Sequence, residues 1–147
     1  MILKDLWIVS RAGICLYHYQ IMPSNYDEYE NLFSGFISTL SALSTTFSNN
    51  QIDFIVMGTE KLHFLSIKEI IIASTIIFVR EEGAADERSI IKQLLKSVGE
   101  IFLVKYAMKM KQEGFNFDFI KNEFDHEIYA IYRVYEGIPR KVSKSLK

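Results

Sequence analysis

Residues 70–79, Ile70-Ile71-Ile72-Ala73-Ser74-Thr75-Ile76-Ile77-Phe78-Val79, form the most apolar run of the chain, closed by Lys68-Glu69 before it and Arg80-Glu81-Glu82 after it. A helix needs about 20 such residues to cross a bilayer core, so this run is too short to span. A strand with one wet face alternates between apolar and polar side chains. This one does not, which predicts a strand covered on both faces. Two layers of helix must then flank one sheet.

Working outward, Leu62 to Ile67 (LHFLSI) and Ile52 to Met57 (IDFIVM) read as two further strands, separated by the turn Gly58-Thr59-Glu60. Upstream, Asp27 opens a 3.6-residue stripe of Tyr29, Leu32, Phe33, Phe36, Ile37, Leu40, Leu43 and Phe47, predicting a helix with those residues as its core face. Asp27, Glu28 and Glu30 suit the positive end of its dipole, and Ser24 or Asn25 can cap it. The chain opens with Ile2 to Val9 and Ile14 to Gln20, a hairpin turning at Ser10-Arg11-Ala12-Gly13.

Downstream, a helix is expected from near Asp86 toward Met110. Its buried stripe is Ile90, Ile91, Leu94, Leu95, Val98, Ile101, Phe102 and Tyr106, with Gly114 as its stop. Phe117 to Tyr132 carries Phe119, Ile120, Phe124, Ile128 and Ile131 at helical intervals, with a break expected near Asp125. The order β-β-α-β-β-β-α-α predicts an α+β sandwich, one helix on one sheet face and two on the other.

Composition bounds the function. The chain has 147 residues, 49% hydrophobic and 24% charged, with net charge −1. That is enough apolar material for a core without a metal or disulfide staple, and too balanced a charge for a nucleic-acid binder. The single cysteine fits a reducing compartment. Lys4 and Asp5 interrupt the first apolar stretch, so no signal peptide is expected and the cytoplasm is the expected location.

The chain contains no phosphate-cradling glycine loop, no G-x-S-x-G, no H-E-x-x-H and no C-x-x-C. His18, His63 and His126 fall on three different elements and read as surface or hairpin-edge positions rather than metal ligands. Cys15 reads as a small buried residue, since no base is legible beside it. Asp125-His126-Glu127 reads as solvated helix surface, because consecutive helical residues diverge. No catalytic residue, metal ligand or cofactor is therefore expected, and the chain reads as a non-enzyme, with a small enzyme lacking any legible motif as an alternative reading.

Two features point to partners. The first helix carries small residues Gly35, Ser38, Thr39, Ala42 and Thr46 on the side opposite its expected core face, and residues 31–50 hold no charge. Interface cores are depleted in charge, so this face is the candidate partner-binding surface. The second is the tail. Arg133, Arg140, Lys141, Lys144 and Lys147 stand against one acid, Glu136. Weak contact with an anionic membrane surface or a nucleic acid through this tail is the alternative reading, beside a frayed terminus.

With these elements in order, Leu6-Trp7-Ile8-Val9-Ser10-Arg11-Ala12-Gly13-Ile14-Cys15-Leu16-Tyr17 resembles the opening hairpin of longin domains, members of the SNARE-like superfamily. Leu32 to Leu43 is similar to their first helix and Ile52 to Val79 to their three-strand meander, so the resemblance spans about 2–132. It implies a longin-like domain over 1–135 followed by a basic tail, 136–147, and a sheet order of 2-1-5-4-3. It further implies a non-catalytic platform of vesicle trafficking and small-GTPase regulation. Such a platform dimerises with itself or with another longin or roadblock protein, and binds a small GTPase. The heptad segment and membrane anchor of a longin SNARE do not follow here. The resemblance therefore points to the stand-alone longins of archaea and the small subunits of trafficking complexes. Roadblock domains are related but begin with a helix.

Overall fold

The computed structural model describes residues 2–21, 30–48, 54–77, 84–112 and 117–136. Strands β1 (Ile2–Ser10) and β2 (Cys15–Gln20) form the opening hairpin. Helix α1 (Glu30–Ser48) is followed by β3 (Phe54–Met57), β4 (Glu60–Ile67) and β5 (Ile70–Ile77). Helix α2 (Ala84–Met110), a 3-10 turn (Phe117–Ile120) and α3 (Lys121–Glu136) complete the chain. The sheet runs β2-β1-β5-β4-β3, antiparallel throughout. Both the expected fold class and the strand order are observed.

β5 is central, and its pleat decides the layers. Ile70, Ile72 and Ile76 point into one core, with Leu94, Leu95, Val98 and Phe102 of α2 and Phe124 and Ile128 of α3. Ile71 and Ala73 point the other way, with Trp7, Val9, Leu62, Phe64 and Ile37 of α1. Over residues 70–76, both faces of the run that decided the fold are thus buried. α2 lies close on the sheet at Gly99, where an added Cβ would fall 2.6 Å from Ile72 Cδ1 and 2.9 Å from Ile67 Cδ1.

Several expectations are corrected in detail. α3 runs unbroken through Asp125, because Asp125 accepts a hydrogen bond from the Tyr17 hydroxyl and needs no helix break to reach it. Glu60 belongs to β4 rather than to the turn, opposite Met57. The largest difference concerns the facing of α1. Phe33 and Leu40 are half-buried and Ile37 fully buried, but Leu32, Phe36 and Leu43 lie outside at 74%, 45% and 47% exposure. The apolar stripe of this helix is broad and, past Glu30, the rest of its surface carries no charge to mark a wet side, so periodicity alone does not choose which edge of the stripe docks. The sheet side is set by small residues instead, with Ser34 and Ser41 both buried beneath the helix. At the hairpin turn, Gly13 sits at φ +91°, and a Cβ there would be 3.3 Å from Gly35 Cα. Only a glycine combines that dihedral with so close a backbone approach. Gly114 and all of the expected tail, 136–147, beyond Glu136 fall outside the described residues.

Candidate interaction face and the polar centres behind it

The outward side of α1 carries Leu32, Phe36, Thr39, Leu43 and Thr46, spaced 4-3-4-3 along the helix. All five are exposed. That spacing is the seam of a helix pair, in which alternating steps of three and four keep one line of side chains toward a partner helix. Of the expected partner residues, Thr39, Ala42 and Thr46 are exposed beside this line, whereas Gly35 and Ser38 are half-buried. These last two turn toward the β1–β2 hairpin, where Ser38 Oγ donates to Arg11 O at 2.5 Å. The hydroxyls of Thr39 and Thr46 donate to the carbonyls of Gly35 and Ala42, one helical turn earlier. They therefore present methyl groups rather than unsatisfied donors. The exposed leucines and phenylalanine complete the face, and the sequence pattern had assigned them to the core.

At the N-terminal end of α1 a polar centre joins four elements. Asp5 is fully buried in β1. Its Oδ1 accepts from His18 Nε2 at 2.7 Å and its Oδ2 from Thr75 Oγ1 at 3.2 Å, while Ser74 Oγ donates to its backbone carbonyl. His18 stacks on the Trp7 indole with centroids 3.6 Å apart, and its Nδ1 lies 3.7 Å from Glu30 in the first turn of α1. His18 and His63 are thus buried, at 8% and 4% exposure, rather than at the surface, while His126 is exposed. The three stand on β2, β4 and α3. Among the described residues no three His, Cys, Asp or Glu side chains gather as metal ligands.

A cavity of about 350 Å³ beside β2 is lined in part by Cys15, His18, Glu30 and Lys121. Burial, followed by the Glu30 charge, pushes the Cys15 thiol up to about 12, which leaves it protonated and weakly nucleophilic at neutral pH. Of the Asp125-His126-Glu127 run, His126 is exposed, whereas Asp125 and Glu127 are part-exposed and paired. Asp125 takes the Tyr17 hydroxyl, and Glu127 pairs with Lys105 at 2.8 Å.

Tyr106 is likewise pushed up to about 12 by burial and by its hydrogen bond to Glu123. Cys15 and Tyr106 are neutral when protonated, and the folded protein keeps those protons at pH values where the unfolded chain releases them. Their contribution to stability is complete below about pH 9 and is lost as pH rises toward 12. Urea midpoints should accordingly fall between pH 9 and 11, and Tyr106→Phe should make the decline above pH 10 shallower. A midpoint constant over that range would contradict this linkage.

This layout is an α+β fold, a five-stranded antiparallel sheet with one helix on one face and two on the other. Roadblock/LC7 domains are among the solved structures that it resembles. A roadblock/LC7 domain from Streptomyces avermitilis superposes with a TM-score of 0.51 at 12% identity, over 70% of this chain and 88% of that one. MglB of Myxococcus xanthus gives 0.49 at 14% identity, over 68% and 83%. No protein-family profile and no curated protein sequence matches the chain. Among the described residues, no helix is long and apolar enough to cross a membrane.

Proposed function

We propose that this protein is a non-catalytic interaction platform of the longin and roadblock type. It acts in the cytoplasm, dimerises through the outward face of α1 with itself or with another longin or roadblock protein, and presents the paired unit to a small GTPase. One observation carries this reading. An uncharged line of Leu32, Phe36, Thr39, Leu43 and Thr46 runs at helix-pairing spacing on the exposed side of a helix. Ala42 flanks that line, and Gly35 and Ser38 hold the helix against the hairpin so that the line stays outward. β3, at the sheet edge with Val56 59% exposed, offers an adjoining strand. The GTPase partner, and the likeness to stand-alone archaeal longins and small trafficking-complex subunits, rest on the resemblance of the Leu6–Tyr17 hairpin.

Light scattering coupled to size-exclusion chromatography tests the dimer. A mass near twice 17.1 kDa is expected at micromolar concentration. Placing a buried, unpaired charge in such a seam costs several kcal/mol, so Ala42→Arg and Phe36→Arg should each raise the dimer dissociation constant at least a hundredfold. Their circular dichroism should stay unchanged, since both side chains are exposed in the single chain. If the wild-type chain is monomeric, the same two variants are assayed for loss of a captured longin, roadblock or GTPase partner. Retained association in both variants removes this face.

A further inference from the structure

The sheet ends at β2, and β2 is an edge strand without a formal charge of its own. Its sequence, Cys15-Leu16-Tyr17-His18-Tyr19-Gln20, is rich in strand formers and holds no Lys, Arg, Asp, Glu, Pro or Gly. Short segments of that composition pair with copies of themselves when their edge is open.

The register fixes which groups face outward. The Ile21 N–H donates to Lys4 O at 2.8 Å, and Tyr19 and Tyr17 stand opposite Leu6 and Ile8. These odd-numbered residues turn their main-chain groups toward β1. His18 and Gln20, opposite Trp7 and Asp5, turn theirs away from it, along the outer edge. The cavity of about 350 Å³ beside β2 follows that edge, since Cys15, Leu16, Tyr17 and His18 all line it. Successive side chains of a strand point to opposite faces, so only a space beside the strand touches four in a row.

One side chain reaches this edge from another layer. Lys121, the first residue of α3, donates from Nζ to His18 O at 2.8 Å, an outward carbonyl near the middle of the strand. Its ammonium also lies 5.5 Å from the Tyr17 ring centroid and 3.9 Å from Asp125, which in turn takes the Tyr17 hydroxyl. The start of α3 is thereby fastened to β2. The ammonium stands where the amide of an added strand would have to donate, so an incoming strand must break that bond and then lie against a displaced cation. Lysine at an edge is a recurrent device against strand addition. Here it arrives from 103 residues further along the chain, because β2 itself carries none.

We infer that Lys121 guards the β2 edge, and that without it a second copy of this chain adds its own β2 to the sheet. Association through one two-fold face closes at two copies, whereas a second self-pairing surface links such units into open chains. Mass gained over the wild-type chain reads this out whether or not α1 is a seam.

Lys121→Met keeps the stem of the side chain and loses the ammonium. Light scattering over a concentration series should give this variant at least twice the wild-type mass at equal concentration. Its circular dichroism should match the wild type, since the lysine side chain is 53% exposed. Lys121→Ala should behave alike, while Lys121→Arg, which keeps a cation and a donor, should stay at the wild-type mass. Lys109→Met, which removes the same charge from α2, should stay there too. Gln20 is exposed on the edge strand, so Lys121→Met/Gln20→Lys returns a charge to β2 and should restore the wild-type mass. Wild-type mass in both Lys121→Met and Lys121→Ala overturns the inference, as does a gain that Gln20→Lys leaves intact or that Lys109→Met reproduces. Loss of the wild-type dichroism in both makes Lys121 a structural tie and overturns it as well.

Discussion

Replacing Trp7 by alanine is expected to remove about 3–5 kcal/mol of folding stability, the usual cost of emptying a large aromatic site in a core. Trp7 is fully buried in the thinner of the two cores, stacked on His18 at 3.6 Å and tilted against Phe33 of α1 at 4.8 Å. The α1 side of the sheet is built from fewer large side chains than the α2/α3 side, so little remains there to collapse into the cavity. Trp7 is also the only tryptophan of the chain, so unfolding of the variant is followed by circular dichroism rather than by fluorescence. Phe124→Ala provides the comparison. Phe124 is equally buried, but on the opposite face, edge-on to Tyr17, Phe102 and Tyr106. Both variants should lose similar stability in urea, yet only Trp7→Ala should weaken self-association under conditions where each remains folded. Trp7 contacts Phe33 of α1, the helix that carries the proposed seam, whereas Phe124 packs on the other sheet face. Equal effects on association would detach the seam from this core, and a loss below about 1 kcal/mol would show that the α1 side is not tightly packed.

How legible these layers are in the sequence follows from how much each element leaves to choice. The strand at Ile70 is apolar at nearly every position, so its coverage on both faces is forced whatever packs against it. The facing of α2 is marked almost as well, because its charged residues leave one side free for Ile91, Leu94, Leu95, Val98 and Phe102, although Val104 and Met108 lie on the wet side. α1 leaves more open. Its sequence from Asn31 to Ser48 contains no charge, so nothing marks the wet side, and two leucines and a phenylalanine assigned to the core lie outside. The deciding contacts are Gly13 against Gly35 and Ser38 against Arg11, which join positions more than 20 residues apart and have no local signature. The exposed, uncharged side of α1 was nonetheless legible in part, because absence of charge along a helix is a local property. The buried place of Asp5 was not. An acid inside an apolar strand reads as an interruption until its acceptors' partners, on β2 and β5, are placed beside it.

Asp5 carries the second large effect. Its carboxylate is fully buried and accepts from His18 Nε2 and Thr75 Oγ1, two side chains on the strands flanking β1. Substituting leucine removes the acceptor but leaves both donors in place, buried between sheet and helix. Breaking a buried pair from one side costs about 3–5 kcal/mol, most of it the penalty on the group left behind. Removing both partners is a different matter, since an apolar pair of similar volume is often close to neutral. Asp5→Leu should therefore be among the most damaging single changes in the protein, whereas Asp5→Leu/His18→Phe should recover at least about 2 kcal/mol of that loss, within the range of coupling between contacting residues. Phenylalanine at position 18 keeps a ring to stack on Trp7, which separates loss of the hydrogen bond from loss of the stack. Urea denaturation of the two single variants and the double closes the cycle. Additive losses would mean that Asp5 and His18 act independently. The polar centre would then be no more than two tolerated groups, rather than the tie that fixes β2 to β1 at the end of the sheet where Glu30 begins α1.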